Sequence, residues 1–243
     1  GEKIQLSFID TPGYDDFLGQ VIPAIRVSDL ALLAVDALSG IQVGSTRAWR
    51  MASAADKPRA IVITGGDREN ADFNAVLEQI QSSWGAKCLP VTIPLAGNEG
   101  VWNVMDDREP PAPLAESVKA TRDAMIERAA ESDDALLEKY LAGETLSPGE
   151  IATGLKAAVR AGNLVPIFAV MPLKDIGIVE LIEGIGRFFP SPDEVPFKDK
   201  EGNAVQGKRL HRILTNPDLL GFLLGNQLIE TGAEDDRHVG PQL

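Results

Sequence analysis

The sequence predicts an α/β protein built on a mostly parallel sheet, and three observations carry that expectation. Short apolar runs, "IQLSFID", "LALLAVDA", "RAIVITGG" and "LVPIFAVMP", recur along the chain and close on Asp, Gly or Pro, as buried strands do. Helical patterns fall between these runs. The two element types alternate rather than forming separate blocks, which is what parallel crossover connections require.

Taken in order, Ile4 to Ile9 reads as the first strand, and Gln20 to Val27 as a short helix. Gln42 to Ala55 is a longer helix. Ala71 to Trp84 is the clearest, because Phe73, Val76, Leu77 and Ile80 stand at i, i+3, i+4 and i+7 and share one face. The rhythm changes after Cys88. "LPVTIPLAG" reads as a strand, "REPPAPLAES" as a proline-rich loop, and a helical stretch then runs from about Leu114 to Gly162. Its last helix is well punctuated: Ser147 is an N-cap, Pro148 a first-turn proline, Glu150 a capping-box partner and Gly162 the stop. Residues 88–163 therefore read as an insertion before the sheet resumes with Leu164 to Val170. Ile176 to Phe189 closes the unit as a helix halted by Pro190. From Phe197 onward the patterns are mixed, which separates a tail, 197–243, from a main unit, 1–196.

Composition narrows the function classes. A chain of 243 residues with 44% hydrophobic content can bury an ordinary core. Its 36 acidic and 23 basic residues leave a formal charge of -13, which disfavours an extended face for DNA or anionic lipid, since phosphate binding runs on Lys and Arg. The single cysteine, Cys88, excludes an internal disulfide framework and points to the cytoplasm. No apolar run approaches the roughly 20 residues that cross a bilayer. Gly1 lies directly against the first strand with no initiator Met, so a fragment of a longer protein is expected.

The stretch "FIDTPGYDDF" raises the functional question. D-x-x-G alone says little, for the chain contains it four times, starting at Asp10, Asp16, Asp199 and Asp218. Only the first copy ends a buried-type strand, and open α/β sheets place ligands at that carboxyl edge. There Asp10 could hold a metal through water, and Gly13 would let a backbone N–H approach a terminal phosphate. Pro12 would pre-set the turn. On these residues alone, a phosphate sensor and a plain turn both stay open.

A resemblance extends well beyond that stretch. "IQLSFIDTPGYDDF", "AIRVSDLALLAVDALSGIQVGSTRAWRMA", "PRAIVITGGDRENADFNAVLEQIQSSWGA", "LLEKYLAGETLSPGEI" and "LKDIGIVELIEGIGRFFPSPDEVP" follow one another as in the GTPase domain of bacterial elongation factor G. The match runs from about Ile4 to Pro196 and includes the helical insertion. Beyond Pro196 it fades, although "ILTNPDLLGFLLGNQLIETG" resembles a distorted start of that family's next β domain. The resemblance implies a P-loop NTPase-like sheet, GTP and magnesium as ligands, and the ribosome or its stalk protein as partner. It places Asp10, Thr11, Pro12 and Gly13 at the switch beside magnesium and the terminal phosphate, with Asp10 reaching the metal through water. Asp67 falls where the family's acid reads two N–H groups of guanine, a paired contact adenine cannot match.

Departures from the family pattern all point one way. Tyr14 stands where the family has the histidine that positions the attacking water, and a phenol of ordinary pKa near 10 does not titrate near neutrality. Thr64, Gly65, Gly66 and Asp67 replace Asn-Lys-x-Asp, so two glycines stand where a lysine stem would cover the base. Val170, Met171 and Pro172 replace a small loop whose backbone contacts the base oxygen, and Pro172 removes a donor. No G-x-x-x-x-G-K-[ST] occurs anywhere, so the phosphate cradle, its lysine and its magnesium-binding hydroxyl are missing. The strand that precedes this loop in the family is missing with it, leaving open edges that would re-pair or invite another polypeptide. Truncation accounts for the missing loop but not for the internal changes, which suggest a diverged paralogue.

Two functions follow as expectations. The first is a translational GTPase domain resembling that of elongation factor G, inactive as this chain. The second is a non-catalytic module that uses its helical insertion to bind a protein partner such as the ribosomal stalk. An unrelated hydrolase or flavodoxin-like protein fits the insertion poorly. The two histidines, His211 and His238, cannot supply a His-rich metal site, and the acidic pairs Asp15–Asp16, Asp133–Asp134 and Asp235–Asp236 read as solvated turns or helix starts. Trp49, Trp84 and Trp102 read as packing residues. The basic cluster "GKRLHRI", Gly207 to Ile213, could touch ribosomal RNA and otherwise reads as a solvated helix face.

Overall fold

A computed structural model describes residues 6–13, 18–191, 194, 197–198, 204–205 and 212–215. Six strands form one sheet, and every described pairing in it is parallel. The order is β1 (Leu6–Ile9), β10 (Arg212–Thr215), β2 (Leu30–Asp36), β3 (Arg59–Thr64), β7 (Val165–Val170) and β4 (Cys88–Pro90). Helices α1 (Leu18–Val27), α2 (Val43–Ala54), α3 (Phe73–Trp84) and α7 (Ile178–Phe188) fall in the segments where the apolar periodicity placed them.

The period of two along each strand divides the core into two layers. Leu30, Leu32, Ala60, Val62, Phe168 and Val170 share one cluster with Leu181, Ile185 and Phe188 of α7. Their neighbours Ala31, Leu33, Val35, Ile61, Ile63, Ile167 and Ala169 join Phe73, Val76, Ile80 and Trp84 of α3 on the other side. Strands flanked by apolar layers on both faces read as continuous hydrophobic runs, which is why the short apolar runs and the Asp, Gly or Pro that close them located them. On the α3 side Trp49 and Trp84 stack at 4.6 Å between ring centroids, and the Arg59 guanidinium lies 4.5 Å above the Trp49 ring.

In the stretch expected to be an insertion, 88–163, β4 pairs with β7 in the main sheet, and a hairpin of β5 (Thr92–Pro94) and β6 (Val101–Asn103) follows it. The helices of this stretch are α4 (Ala115–Ala130), α5 (Asp134–Leu141) and α6 (Pro148–Arg160). Val118, Met125 and Ala129 of α4 and Leu155 and Ala158 of α6 belong to the same buried cluster as Phe168, so the insertion and the sheet share one core. The cap on α6 is the expected one. The Ser147 hydroxyl accepts from the Glu150 N–H at 3.3 Å, and the Glu150 carboxylate accepts from the Ser147 N–H at 2.9 Å. Ser147→Ala is therefore expected to lower the unfolding free energy by about 1 kcal/mol, read as a lower urea midpoint at unchanged slope.

Two positions differ from the sequence reading. The stretch "LPVTIPLAG", read as one strand, contributes Cys88–Pro90 to the main sheet beside β7 and Thr92–Pro94 to the hairpin. The slot expected to stand open beside the first strand holds β10, from the part of the chain whose patterns are mixed. All four of its residues are in register with β1, from Leu6↔Arg212 to Ile9↔Thr215. Only Leu214 and Thr215 are in register with β2, opposite Leu30 and Ala31. The physical reason is that two facing strand edges leave N–H and C=O groups unpaired, and an extended segment that can reach them satisfies both. Four residues, "RILT", are too few for a periodic signal. The second described element of this region is the hairpin of β8 (Phe197–Lys198) and β9 (Ala204–Val205).

Candidate functional site

The residues singled out from the sequence lie at the carboxyl edge of the sheet, in two groups. The first follows β1. Asp10 is exposed, Thr11 is buried at 5% exposure, Pro12 is half-buried and Gly13 is exposed. The Gly13 carbonyl oxygen would lie 3.5 Å from a Cβ built on Gly44, so this turn abuts the first turn of α2. Tyr14, Asp15 and Asp16 lie outside the described residues.

The second group follows β3 and β7, which are adjacent, with Thr64 opposite Val170. Gly65 adopts φ +72°, a left-handed conformation that starts the turn carrying the half-buried Asp67. Met171 Cγ would stand 3.9 Å from a Cβ on Gly66, so Thr64 to Asp67 and Val170 to Pro172 meet. Pro172 opens a short 3-10 turn over Pro172–Lys174. Between the two groups lie β10 and β2, so Asp10 and Asp67 stand three strand spacings apart, about 14 Å.

Three residues that sequence reasoning left unassigned organise the second group. Asp36, at the end of β2, accepts through Oδ1 from the Leu38 N–H at 3.0 Å, the Ser39 N–H at 2.9 Å and the Ser39 hydroxyl at 2.8 Å. Its Oδ2 pairs with the Arg68 guanidinium. Partial burial pushes the Asp36 carboxyl up, but the Ser39, Arg68 and Leu38 hydrogen bonds together outweigh it and hold the group below the ordinary carboxylate value. Arg68 also lies against Gly65, where a Cβ would collide with its guanidinium. Asn98, from the insertion, donates through Nδ2 to the Gly66 carbonyl at 2.8 Å. The two-glycine turn is thus tied down by Arg68 on one side and by Asn98 on the other. A strand ending in Asp was the visible signal for Asp36. Arg68 and Asn98 had none, because each partner lies 32 residues away in the chain.

No group of three or more His, Cys, Asp or Glu able to hold a metal occurs among the described residues. In the first group Asp10 is the one carboxylate among the described residues. Magnesium keeps several waters and is held by one or two carboxylates together with substrate phosphates, so Asp10 could share such an ion with a bound phosphate. His211, His238, Asp235 and Asp236 lie outside the described residues. Asp133 caps α5, its carboxylate accepting from the Ala135 and Leu136 N–H groups. Cys88 is fully buried, and burial pushes its thiol up to about 12, so it is a packing residue without thiolate character. Trp84 is buried, and Trp49 and Trp102 are half-buried. Among the described residues no helix is long and apolar enough to cross a membrane.

A parallel sheet with an Asp-Thr-Pro-Gly turn after β1, a glycine-acid turn after β3 and helices on both faces defines an α/β domain of the P-loop GTPase-like class. The chain belongs to the elongation factor Tu GTP binding domain family, whose profile matches residues 1–191. It is 31% identical over 207 residues to an elongation factor G-like protein of Thermotoga maritima, a match covering 81% of this chain and 30% of that protein. It is also similar to a protein of Thermus thermophilus known from its crystal structure, with a TM-score of 0.70 and 34% identity over 77% of this chain and 30% of that one. The chain spans about a third of the length of these relatives. The resemblance to a translational GTPase domain therefore holds.

Proposed function

We propose that this chain is the GTP-binding-domain part of an elongation factor G-like protein that acts on the ribosome, and that as an isolated chain it neither captures nor hydrolyses GTP. Residues 1–196, with an insertion at about 88–163, would be that domain, and of the tail 197–243 the strand β10 joins its sheet. In the proposed parent function Asp10 to Gly13 sense magnesium and the terminal phosphate, and Asp67 contacts guanine.

The observation that carries the inactive reading is the wiring of the base-side turn. Gly65 and Gly66 offer no stem to cover an aromatic ring, and Arg68 and Asn98 already hold this turn against Asp36 and the insertion. The lack of a G-x-x-x-x-G-K-[ST] cradle supports the same reading on the phosphate side. Titration calorimetry with GTP and magnesium is expected to give no heat of binding at micromolar ligand, and micromolar affinity would overturn the proposal.

A second reading is favoured by α5. None of its residues is fully buried, and Tyr140 and Leu141 are exposed at 38% and 76%. An apolar helix face turned to solvent suits a protein partner such as the ribosomal stalk. Co-sedimentation with ribosomes separates the readings: binding that is indifferent to GTP supports the non-catalytic module.

A further inference from the structure

The amino edge of the sheet, at the other end of β3 from Thr64 to Asp67, gathers two cations on one aromatic ring. Arg59 opens β3, Lys87 immediately precedes β4, and β7 lies between those strands. The Arg59 guanidinium lies 4.5 Å and the Lys87 ammonium 6.0 Å from the centre of the Trp49 ring. Arg59 is only 9% exposed; it donates to the Ser53 hydroxyl through Nη1, and its Nε has no hydrogen-bond partner among the described residues. Lys87 is half-buried and donates to the Gly162 carbonyl at 2.9 Å, while a Cβ on Gly162 would stand 3.3 Å from Arg59 Nη2. Both cations thus adjoin a residue with no side chain to cover them. None of the described ion pairs includes either one. Asp56 attracts Arg59 through space without an ion pair, and the Cys88 thiol, pushed up to about 12 by burial, stays neutral near pH 7. Burial first, and the Arg59 charge second, hold Lys87 below the ordinary lysine value. A ring face attracts a cation but does not neutralise it, so positive charge accumulates here in a chain whose formal charge is -13.

We propose that Arg59 and Lys87 form a binding site for a phosphate-class oxyanion, free or as a monoester, at the amino edge of the sheet. An ammonium has three donors, so Lys87 keeps two after its bond to Gly162, and Arg59 Nη2 adds a charge-assisted donor beside the same glycine. A dianion matches two positive charges, whereas a single carboxylate offsets one. The spread oxygens of a tetrahedral group can accept from both cations at once. Bound there, the anion ties the start of β3 to the start of β4 across β7, next to the end of α6. The inference needs neither Asp10 nor Asp67, and stands apart from the proposed GTPase relationship.

The test titrates the full chain with inorganic phosphate and, in parallel, with methyl phosphate, chloride holding the ionic strength constant. Tryptophan fluorescence reports occupancy, because Arg59 lies over the Trp49 ring and Trp84 stacks on it. The phosphorus NMR line width of the probe is a second readout. A saturable change by about 10 mM probe is expected, the range of a millimolar site. Binding of inorganic phosphate alone identifies the free ion as the ligand, and binding of both probes identifies the monoester; either supports the proposal. Lys87→Met is expected to weaken binding by at least about tenfold, the loss of a charge-assisted hydrogen bond. Lys87→Arg, which keeps the charge, should stay within about threefold of the parent chain. No saturable change in either readout with either probe overturns the proposal, and so does undiminished affinity in Lys87→Met. Should Lys87→Met not fold, Lys87→Gln takes its place with the same expected loss.

Discussion

Phe168→Ala is expected to lower the unfolding free energy by about 3 to 5 kcal/mol, the range for truncating a fully buried phenylalanine. Phe168 lies at the centre of β7 with no exposed surface, in a cluster that includes Val118 and Met125 of α4, Leu155 of α6 and Ile185 of α7. Its ring also fills the space above Gly184, where a Cβ would overlap it. The substitution opens a cavity where the sheet, α7, α4 and α6 meet. Backbone atoms of β7, Gly184 and α6 cannot collapse into that space without breaking their own pairing, so relaxation recovers little. Urea unfolding followed by circular dichroism checks this, and a loss below about 1 kcal/mol would mean that the insertion does not share the core.

Gly177→Ala carries the second large effect, expected at about 2 to 4 kcal/mol. Gly177 precedes α7 with φ +79°, a left-handed conformation that disfavours a Cβ by about 1 to 2 kcal/mol. In addition a Cβ there would overlap the carbonyl oxygen of Ala169. Relieving that overlap shifts the turn holding Val170 to Pro172, so the damage falls on the rim at the sheet's carboxyl edge as well as on stability. Gly149→Ala serves as the control. Nothing lies within 4 Å of a Cβ at that position, and its effect should stay within about 0.5 kcal/mol. Thermal unfolding of the two variants side by side separates local strain from a general intolerance of glycine replacement.

Much of the fold was legible without coordinates because its signals are local. Leu30–Asp36, Arg59–Thr64 and Val165–Val170 contain continuous apolar runs, Leu30 to Val35, Ala60 to Ile63 and Val165 to Val170, and Phe73, Val76 and Ile80 repeat at helical spacing. Ser147, Pro148 and Glu150 form their cap within four consecutive residues. The candidate site was legible in part. Asp10 to Gly13 and Asp67 stand at the carboxyl edge, where the strand ends place them. The partners of that rim were not, since the Arg68–Asp36 pair and the Asn98–Gly66 bond each join segments remote in sequence.

Residue order settled most of the strands and helices, though not β10, and that no G-x-x-x-x-G-K-[ST] motif occurs in this chain. These properties depend on neighbours within a few residues, which a linear reading contains. Folding in three dimensions settled what fills the slot beside β1 and what ties the two-glycine turn. Those outcomes depend on which distant segment reaches an unpaired strand edge or an unsatisfied carbonyl first, and the energy of each such meeting is written in no single stretch of the chain.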